Sequence, residues 1–567
     1  MIDLKNSSGV NVDPWTLPEI LACDIETTGL DYAYDDIHIL QLGTDNEQYY
    51  TYEITLELFL FLKTRKLIFH GGKFDTEFLA NQFGELLDIY GDTLVMLHAS
   101  GYTDSYELKD AAPKILGVKN WNTSNKFDLT YALKDVKYTY MLADRLLENM
   151  DEEDFTVYTH ELMGYSAFRM IEVTGTYIGD ISKSDAIIEK MLLEHEIENR
   201  LDLSWINSRV KLAKLLYDGL GLPILERTGK GAPSTKYDIL IELNKRGSKL
   251  AGEIASHSKT MKLRTFFKSW NKLQIDGKIR PKFNIMARTG RTTSKEPNLQ
   301  QVPQNSYVRN MIVAPPGWKF IEADYSQLEL RCAAFCAQDK TMLAAYENDE
   351  DLHDKTWYAI SNGSPYSDDH DIAKRQRTIA KSCNFSLLYG ASWSTLQSYV
   401  KGYGMELTDD EAKEYHAKFF EGYPGLVAWH ANCIKFAEIN GYSRTPSGRK
   451  RYLEEIYSSN YSSKSAAQRQ SINSPVQGLG SDLCVSAMTQ ITEHPEYGNT
   501  FLIYGTVHDA ILVIAKEGHE EHVANDIIKY NMEHPRILKD IPNNESLFLK
   551  ADIEICQSWG GGNQQWV

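Results

Sequence analysis

Acidic residues near the start of the chain could bind metal ions. Asp24 and Glu26 lie two positions apart in LACDIET, so in a β-strand their side chains project from the same face. Two carboxylates this close repel each other unless a cation lies between them. Asp75 follows a glycine-rich bend in HGGKFD, and Tyr131 and Asp135 in YALKD lie one helical turn apart. Although DxE alone is a common surface pattern, this set suits phosphodiester hydrolysis by two Mg²⁺ or Mn²⁺ ions.

A second pair of aspartates lies in the C-terminal half. In KFIEADYSQLELR, apolar residues run up to Asp324 at a strand end, and Glu329 begins an amphipathic stretch. In TVHDAILVI, two β-rich runs flank a turn that presents Asp509. Asp324 could bind a metal ion or cap a helix, and Asp509 could bind a metal ion or belong to an ordinary turn. The residues by themselves leave both alternatives open.

The run RTIAKSCNFSLLYG carries two cations and two aromatic rings at helical spacing. Arg377, Lys381, Phe385 and Tyr389 follow each other at intervals of four, and the helix can stop at Gly390. Cations match a triphosphate, and aromatic rings match a base or a sugar. A solvated cationic edge beside two core aromatics would give the same pattern.

These groups must be positioned by a chain that mixes strands and helices. Over residues 1–150 we predict alternating elements, with LPEILACDIETTGL and KLIFHGG as strands and TLELFLFLKT as a helix. Helices dominate residues 151–260, including SKSDAIIEKMLLEHEIENRLDLSWI, and LPILERTGKGAPSTKYD forms a looser segment. A strand returns at KFIEAD, helices follow over 370–440, and residues 500–516 form a β-rich hairpin. The expected fold class is α/β and α+β, in several domains.

Size and composition agree with a multidomain globular protein. The chain has 567 residues, 42% of them hydrophobic and 24% charged, which predicts three or four domains. No apolar run approaches the roughly 20 residues of a membrane span. The start, MIDLKNSSGV, lacks a signal or transit pattern, so we expect a cytoplasmic protein without membrane contact. Seven scattered cysteines without CxxC spacing argue against disulfides and zinc.

The net charge of −18 hides a basic stretch. Residues 259–309 hold twelve Lys or Arg against two acids, with Trp270 and Phe266 among them. Affinity for a phosphate backbone follows the local field, so this stretch could grip nucleic acid, or it could be a solvated face.

The three N-terminal elements, CDIETTGLD, HGGKFD and YALKD, resemble the DnaQ-like 3′→5′ exonucleases of the tyrosine subtype, which have an RNase H-like fold. The resemblance implies that four carboxylates hold the metal ions and that Tyr131 orients the attacking water. The implied ligands are Asp24, Glu26, Asp75 and Asp135. The second motif usually has Asn where this chain has Gly71, which implies a change in substrate grip or exonuclease rate.

The C-terminal elements resemble the three motifs of family A DNA polymerases, the bacterial polymerase I type. DYSQLELR matches motif A, RTIAKSCNFSLLYG motif B and VHD motif C. The similarity extends through GAPSTKYDIL, TGRTTSKEPNLQQVP, the DLH of residues 351–353 and RQSINSPVQGLGSD, and covers the chain from about residue 20. It implies a right-hand polymerase after the exonuclease domain. The expected division is exonuclease 1–150, helical connector and thumb 151–283, palm 284–345 and 481–567, and fingers 346–480.

The same resemblance implies a role for each motif residue. Asp324 and Asp509 would bind two Mg²⁺ ions, replaceable by Mn²⁺, and would act in catalysis with Lys381. Glu329 would wall the ribose 2′ position and so favour dNTPs. The other implied dNTP contacts are Arg377, Lys381, His353, Phe385 by the sugar, Tyr389 by the nascent pair, and Gln327. The implied DNA contacts are Arg291, Arg469, Asn473, Gln477 and His508.

Two residues of these motifs add expectations of their own. Motif C usually continues with Glu, and here Ala510 follows, so we expect activity with altered metal affinity or rate. Pro475 predicts a kink or break in the helix that carries Asn473.

We also expect that the chain has no room for a 5′-nuclease domain, which suggests a phage replicative enzyme. Such an enzyme would work in the host cytoplasm as a monomer on primer–template DNA, with accessory proteins possible. Alternatives are a single-subunit RNA polymerase, a nuclease whose C-terminal half only grips nucleic acid, and a structural DNA-binding protein.

Overall fold

The structure is a computed structural model of the 567-residue chain, and it describes residues 2–122, 127–180, 188, 203–303 and 306–561. Much of the amphipathic run predicted over residues 182–206 lies outside these residues. None of the helices in the described ranges is long and apolar enough to cross a membrane.

The N-terminal part is built on a six-stranded sheet in the order β1-β4-β3-β2-β5-β6. Its strands are β1 (Lys5–Asn6), β2 (Ile20–Thr27), β3 (Ile37–Gly43), β4 (Gln48–Thr51), β5 (Lys66–Phe69) and β6 (Gly91–Asp92). Its helices are α1 (Leu56–Leu62), α2 (Lys73–Phe83), α3 (Thr93–Ala99), α4 (Leu108–Leu116) and α5 (Leu129–Asn149). Strand β2 pairs antiparallel with β3 and parallel with β5, which places it inside the sheet. The predicted strands and helix of this part are confirmed.

The middle of the chain is helical and carries a second core. Its helices are α6 (Glu152–Thr174), α7 (Leu203–Ile206), α8 (Arg209–Ala213), α9 (Tyr237–Lys245) and α10 (Lys249–Leu273). The predicted loose segment is confirmed, because helix α9 begins only at Tyr237. Leu216, Leu240 and Ile254 belong to a hydrophobic cluster separate from the main one. Helices α8 to α10 therefore pack as a unit around their own interior.

Helix α10 shows where the prediction about the basic stretch was partly wrong. Lys259, Lys262, Lys268 and Lys272 are exposed along this helix. Trp270, however, has no exposed surface and lies in the main hydrophobic core. An amphipathic helix turns its aromatic residues inward while its lysines stay in water, so Trp270 cannot stack on a nucleic acid from this position.

Short strands lead from α10 to the second large sheet. They are β8 (Lys278–Ile279), which pairs with β7 (Thr176–Tyr177) after helix α6, then β9 (Lys282–Asn284) and β10 (Thr293–Lys295), followed by helix α11 (Ser306–Arg309). The second sheet then begins with β11 (Trp318–Tyr325), which confirms the predicted strand KFIEAD.

Helices fill most of the chain between residues 328 and 492. They are α12 (Leu328–Ala337), α13 (Lys340–Glu347), α14 (Leu352–Ile360), α15 (His370–Leu387), α16 (Trp393–Gly402), α17 (Asp409–Gly422), α18 (Pro424–Asn440) and α19 (Tyr461–Thr492). The hairpin of β12 (Tyr442–Arg444) and β13 (Lys450–Tyr452) separates the last two helices. The helical prediction for residues 370–440 is confirmed.

Two details of these helices correct the sequence predictions. Helix α15 ends at Leu387, so Tyr389 lies beyond it and not on its face as predicted. Helix α19 continues through Pro475, so of the predicted kink or break the break is wrong. Proline removes only one backbone donor, and neighbours such as Ile472 and Val476 are buried in the core, where packing sustains the helix.

The second sheet is fully antiparallel and has the order β14-β15-β11-β16. Its remaining strands are β14 (Phe501–Val507), β15 (Ala510–Lys516) and β16 (Ala551–Cys556), with short helices α20 (Glu520–His522) and α21 (Tyr530–Glu533) between the last two. The predicted hairpin at residues 500–516 is confirmed, and β11 lies between two partner strands at the centre of the sheet.

Candidate active sites

Three carboxylates from two elements meet at the N-terminal sheet. Asp24 and Glu26 lie on β2, and Asp135 lies on α5. Their ligand oxygens all lie within 4.8 Å of one another. Hard oxygen donors at this spacing suit a divalent cation such as Mg²⁺ or Mn²⁺, so these residues could hold a metal ion.

Asp75 is attached to the same strand through its backbone. Its Oδ1 atom accepts a hydrogen bond of 3.0 Å from the N–H of Ile25, between the two acids of β2. The bend before α2 is fixed by Asp92, whose carboxylate accepts hydrogen bonds from the N–H groups of Gly71 and Gly72 at 2.8–3.1 Å. Gly71 has a φ of 81°, a conformation that suits glycine or asparagine. This turn places the fourth predicted acid against the strand that carries Asp24 and Glu26.

Burial and the neighbouring charges raise the pKa values of two of these carboxylates. Burial, followed by the charges of Asp75 and Asp135, raises the pKa of Asp24 well above its usual value. Burial likewise raises the pKa of Asp75 to about 7. A bound cation would relieve both the desolvation and the repulsion.

Asp135 is held from two sides. Its Oδ2 atom lies 2.6 Å from the Nζ atom of Lys109, and its Oδ1 atom accepts a 2.6 Å hydrogen bond from Nε1 of Trp121. The Lys109 ammonium also lies 4.7 Å from the ring centroid of Tyr131. The predicted residues Tyr131 and Asp135 therefore share one cationic neighbour.

The two C-terminal aspartates meet at one end of the second sheet. Asp324 is the penultimate residue of β11 and pairs with Ala510, the first residue of β15. Asp509 directly precedes Ala510 in a two-residue loop, where His508 has a φ of 58°. A positive φ at the first loop position suits a tight hairpin whose twist matches its strands. The sheet thus brings together two acids that lie far apart in the sequence.

Asp324 has a third acidic neighbour. Asp552 on β16 pairs with Asp324 on the side opposite Ala510, so the two side chains share one face of the sheet. Burial and the charge of Asp509 raise the pKa of Asp324 to about 7, and Glu322 and Asp552 add to the shift. Burial also raises the pKa of Asp509.

A cleft of about 840 Å³ opens beside these acids. Its lining includes predicted residues from five parts of the chain, namely Arg291, Gln327, Glu329, Phe385, Gln477, His508 and Asp509. Glu329 accepts a 2.7 Å hydrogen bond from the Tyr389 hydroxyl and also pairs with the Arg291 guanidinium. Two partners therefore fix the Glu329 carboxylate in the cleft, which suits a rigid wall.

The residues predicted to bind a triphosphate differ in their availability. Lys381 and Phe385 are exposed on α15. Arg377 on the same helix pairs with Asp351 at 2.5 Å and also with Asp354. His353 is buried, with Nδ1 2.8 Å from the Asn384 amide nitrogen, and burial lowers its pKa to about 4. His353 is therefore neutral at pH 7 and could contact phosphate only by hydrogen bonding.

Comparisons with known proteins decide the family. Residues 183–561 match the profile of DNA polymerase family A, and residues 16–151 match a 3′-5′ exonuclease family. The chain belongs to DNA polymerase family A. The predicted family, its exonuclease domain and the fold class are thereby confirmed.

Individual relatives agree with this assignment. The family A chain is 35% identical over 331 residues to DNA polymerase I of Pseudomonas aeruginosa, which covers 57% of this chain and 35% of that protein. It is 28% identical over 531 residues to DNA polymerase I of Borreliella burgdorferi, covering 88% and 56% of the two chains. The chain thus spans about a third to just over half of the length of these relatives.

The fold of the family A chain is also similar to a solved structure. The POL domain of Pol1 from M. smegmatis, in complex with DNA primer-template and dNTP, aligns with a TM-score of 0.82. The alignment covers 96% of each chain at 22% sequence identity.

Helix α19 of the family A chain carries three of the predicted DNA contacts. Arg469 is exposed and donates a 2.7 Å hydrogen bond to Ser465 Oγ. The Oδ1 atom of Asn473 is buried and finds no hydrogen-bond partner among the described residues. Gln477 lines the cleft. Of these three residues, Gln477 is therefore the one that the structure places in the cleft lining.

Sequence reasoning missed several residues of both sites. Lys109 and Trp121 contact Asp135, Asp92 fixes the glycine bend, and Asp552 flanks Asp324. A lysine or tryptophan far from a motif carries no spacing signal, because only the folded chain brings it close. Asp552 could have been suspected from the alternation in ADIEIC, which places acids on one face of a strand.

Proposed function

We propose that this chain is a template-directed DNA polymerase that adds dNTPs to a primer 3′ end and removes mispaired ends with its own 3′→5′ exonuclease. The observation that carries the proposal is the presence of two carboxylate sets on two separate sheets of one family A chain. Support for the substrates comes from the structurally similar Pol1 domain, which is in complex with DNA primer-template and dNTP.

At the polymerase site, Asp324 and Asp509 would hold two Mg²⁺ ions, replaceable by Mn²⁺. At the exonuclease site, Asp24, Glu26, Asp75 and Asp135 would do the same. When bound, such ions activate the attacking oxygen and neutralise charge that develops on the leaving oxygen. Oxygen-only donors and raised carboxylate pKa values fit this role at both sites.

We assign the cleft to the incoming nucleotide and the primer–template. Lys381, exposed on α15, would contact the triphosphate and assist catalysis, joined by Arg377 once it leaves Asp351 and Asp354. Glu329, fixed by Tyr389 and Arg291, would exclude a ribose 2′-hydroxyl. The remaining dNTP contacts would be His353, Phe385, Tyr389 and Gln327. The remaining DNA contacts would be Arg291, Arg469, Asn473, Gln477 and His508.

In the exonuclease, Tyr131 would orient the water that attacks the terminal phosphodiester. Its place one helical turn before Asp135 supports this role. The proposed domains are the exonuclease at 1–150, connector and thumb at 151–283, palm at 284–345 and 481–567, and fingers at 346–480. The monomeric state, the accessory proteins, the phage origin and the cytoplasmic location remain predictions.

The alternatives predict different residues. A nuclease that only grips nucleic acid through its C-terminal half needs neither Asp324 nor Asp509, yet the fold brings both to one sheet end. A structural DNA-binding protein needs neither set of acids. An RNA polymerase needs no wall at Glu329 and no exonuclease.

The decisive assay uses a labelled primer annealed to a longer template. We expect extension with dNTPs, little extension with NTPs, and degradation from the 3′ end when nucleotides are withheld. A protein with Asp24→Ala and Asp324→Ala combined is the control and should do neither. Extension with NTPs as fast as with dNTPs, or no extension at all, would contradict the proposal.

A further inference from the structure

A lysine outside the recognised motifs lies at the centre of the exonuclease site. Lys109 is the second residue of helix α4, and its side chain is largely buried, with 22% of it exposed. Its Nζ atom lies 2.6 Å from Asp135 Oδ2 and 4.7 Å from the Tyr131 ring centroid. One ammonium group thus touches both a predicted metal ligand and the predicted water-orienting tyrosine.

Removing Lys109 would affect its two partners, Asp135 and Tyr131, differently. Asp135 keeps a second tether if Lys109 is removed, because Trp121 Nε1 donates to its Oδ1 atom at 2.6 Å. Trp121 is itself buried, and its ring centroid lies 4.4 Å from that of Tyr138, which follows Lys134 by one turn of helix α5. The Tyr131 side chain is restrained by Lys109 itself, whose ammonium lies 4.7 Å from the centroid of the tyrosine ring.

We propose that Lys109 is a positioning residue of the exonuclease, which holds the Tyr131 side chain in place relative to Asp135. This inference rests on the proposed exonuclease activity. Its chemistry is that of a fixed cation, which attracts a carboxylate on one side and a ring face on the other. Because the orientation of an attacking water depends on the group that binds it, a displaced Tyr131 would slow hydrolysis without removing the metal ligands.

The main test is a double-mutant cycle on the exonuclease rate. Lys109→Met keeps the length of the side chain and removes its charge. We expect Lys109→Met to lower kcat by on the order of 10²-fold, no more than Tyr131→Phe does, with KM for DNA unchanged within about threefold. If Lys109 acts through Tyr131, adding Lys109→Met to Tyr131→Phe has little further effect. Effects that multiply in the double variant would overturn the proposal.

Metal binding gives a readout that does not depend on catalysis. Thermal unfolding is followed in increasing Mn²⁺, and the midpoint is the Mn²⁺ concentration that gives half of the full stabilisation. The midpoint of Lys109→Met should be close to that of the unchanged protein, because Trp121 still holds Asp135. Asp135→Asn should need much more Mn²⁺. A midpoint for Lys109→Met that rises as far as for Asp135→Asn would show that the lysine only maintains the metal site, and the proposal would fail.

Matched variants control for folding and charge. Lys114→Met removes a lysine from the same helix, whose side chain is exposed and pairs with Asp104, and should leave both activities unchanged. Lys109→Arg keeps a cation and should recover much of the lost rate. Primer extension by Lys109→Met reports on the folding of the whole chain and should match the unchanged protein. If Asp24→Ala also keeps full exonuclease activity, the proposed function is wrong; if only Lys109→Met does, this inference alone fails.

Discussion

The two carboxylate sites of this chain are built in different ways. The exonuclease acids come from an inner strand and two helices, and they are tied to Ile25 N–H, Trp121 and Lys109 before any cation binds. The polymerase acids lie at a strand end and in a hairpin loop, with Asp324 exposed and Asp509 lining the cleft. The exonuclease is therefore organised by its own fold, whereas the polymerase site depends more on cations and substrate to fix its geometry.

The largest predicted effect concerns how the polymerase site selects the sugar of its nucleotide, a choice that the exonuclease site does not make. Replacing Glu329 with Ala removes the wall that Tyr389 and Arg291 fix in the cleft. The preference for dNTPs over NTPs, measured as the ratio of kcat/KM values, should fall by about 10²-fold. Glu329→Gln keeps the size of the side chain and should keep most of the preference. An unchanged ratio in Glu329→Ala would remove Glu329 from the nucleotide site.

Acid should weaken the exonuclease more steeply than the polymerase. The pKa of Asp75 is raised to about 7, so its carboxylate binds a proton as pH falls below 7, and the pKa of Asp24 is raised in the same direction. A cation must displace these protons, which costs up to about tenfold in metal affinity per pH unit for each one. Between pH 8 and pH 6, the half-saturating Mg²⁺ concentration should therefore rise for both activities.

As pH falls, the half-saturating Mg²⁺ concentration should rise less for the polymerase than for the exonuclease. Among the predicted metal ligands, Asp324 and Asp509 have raised pKa values there, whereas Asp24, Asp75 and Asp135 do in the exonuclease. Mg²⁺ titrations of extension and degradation at each pH measure the two slopes. Equal slopes would contradict the structural contrast between the sites.

A carboxylate added beside Asp324 should make the polymerase site resemble the exonuclease site. Ala510 pairs with Asp324 across the sheet, so a Glu at 510 shares its face. Ala510→Glu should lower the Mg²⁺ concentration needed for half-maximal extension by several-fold, because the added carboxylate attracts the cation. Ala510→Gln has the same size without the charge and should not. If both variants behave alike, the added carboxylate does not reach the metal site.

The smallest change concerns the glycine bend of the exonuclease. A Cβ atom at Gly71 would meet only Leu94 Cδ1, at 3.7 Å, and asparagine tolerates the φ of 81°. Gly71→Asn should fold normally and raise the exonuclease rate by about two- to fivefold, since one added hydrogen bond contributes about 1 kcal/mol at most. Gly71→Ala adds the Cβ atom without the amide and should show no gain. A gain in Gly71→Ala would mean that stiffening the bend, and not the amide, matters.

Local patterns explain which features could be predicted from the sequence. The two-residue spacing of Asp24 and Glu26 and the four-residue spacing of Tyr131 and Asp135 are fixed by strand and helix geometry, so their shared faces were predictable. Lys109, Trp121 and Asp552 reach the sites only through tertiary packing, which single-chain spacing does not encode.

The errors also have local causes. Gly390 suggested the end of helix α15, but the chain leaves the helix at Leu387, so Tyr389 reaches Glu329 from a turn. Pro475 predicted a kink or break in α19, and burial of the surrounding residues kept the helix from breaking. Trp270 was read with its charged neighbours, although its helix turns it into the core.

The account depends on two independent sites, and one paired measurement tests this directly. Asp324→Ala and Asp24→Ala are assayed on the same labelled primer–template, with dNTPs for extension and without them for degradation. We expect Asp324→Ala to lose extension and keep degradation, and Asp24→Ala to lose degradation and keep extension. Loss of both activities in either variant would contradict separate polymerase and exonuclease centres.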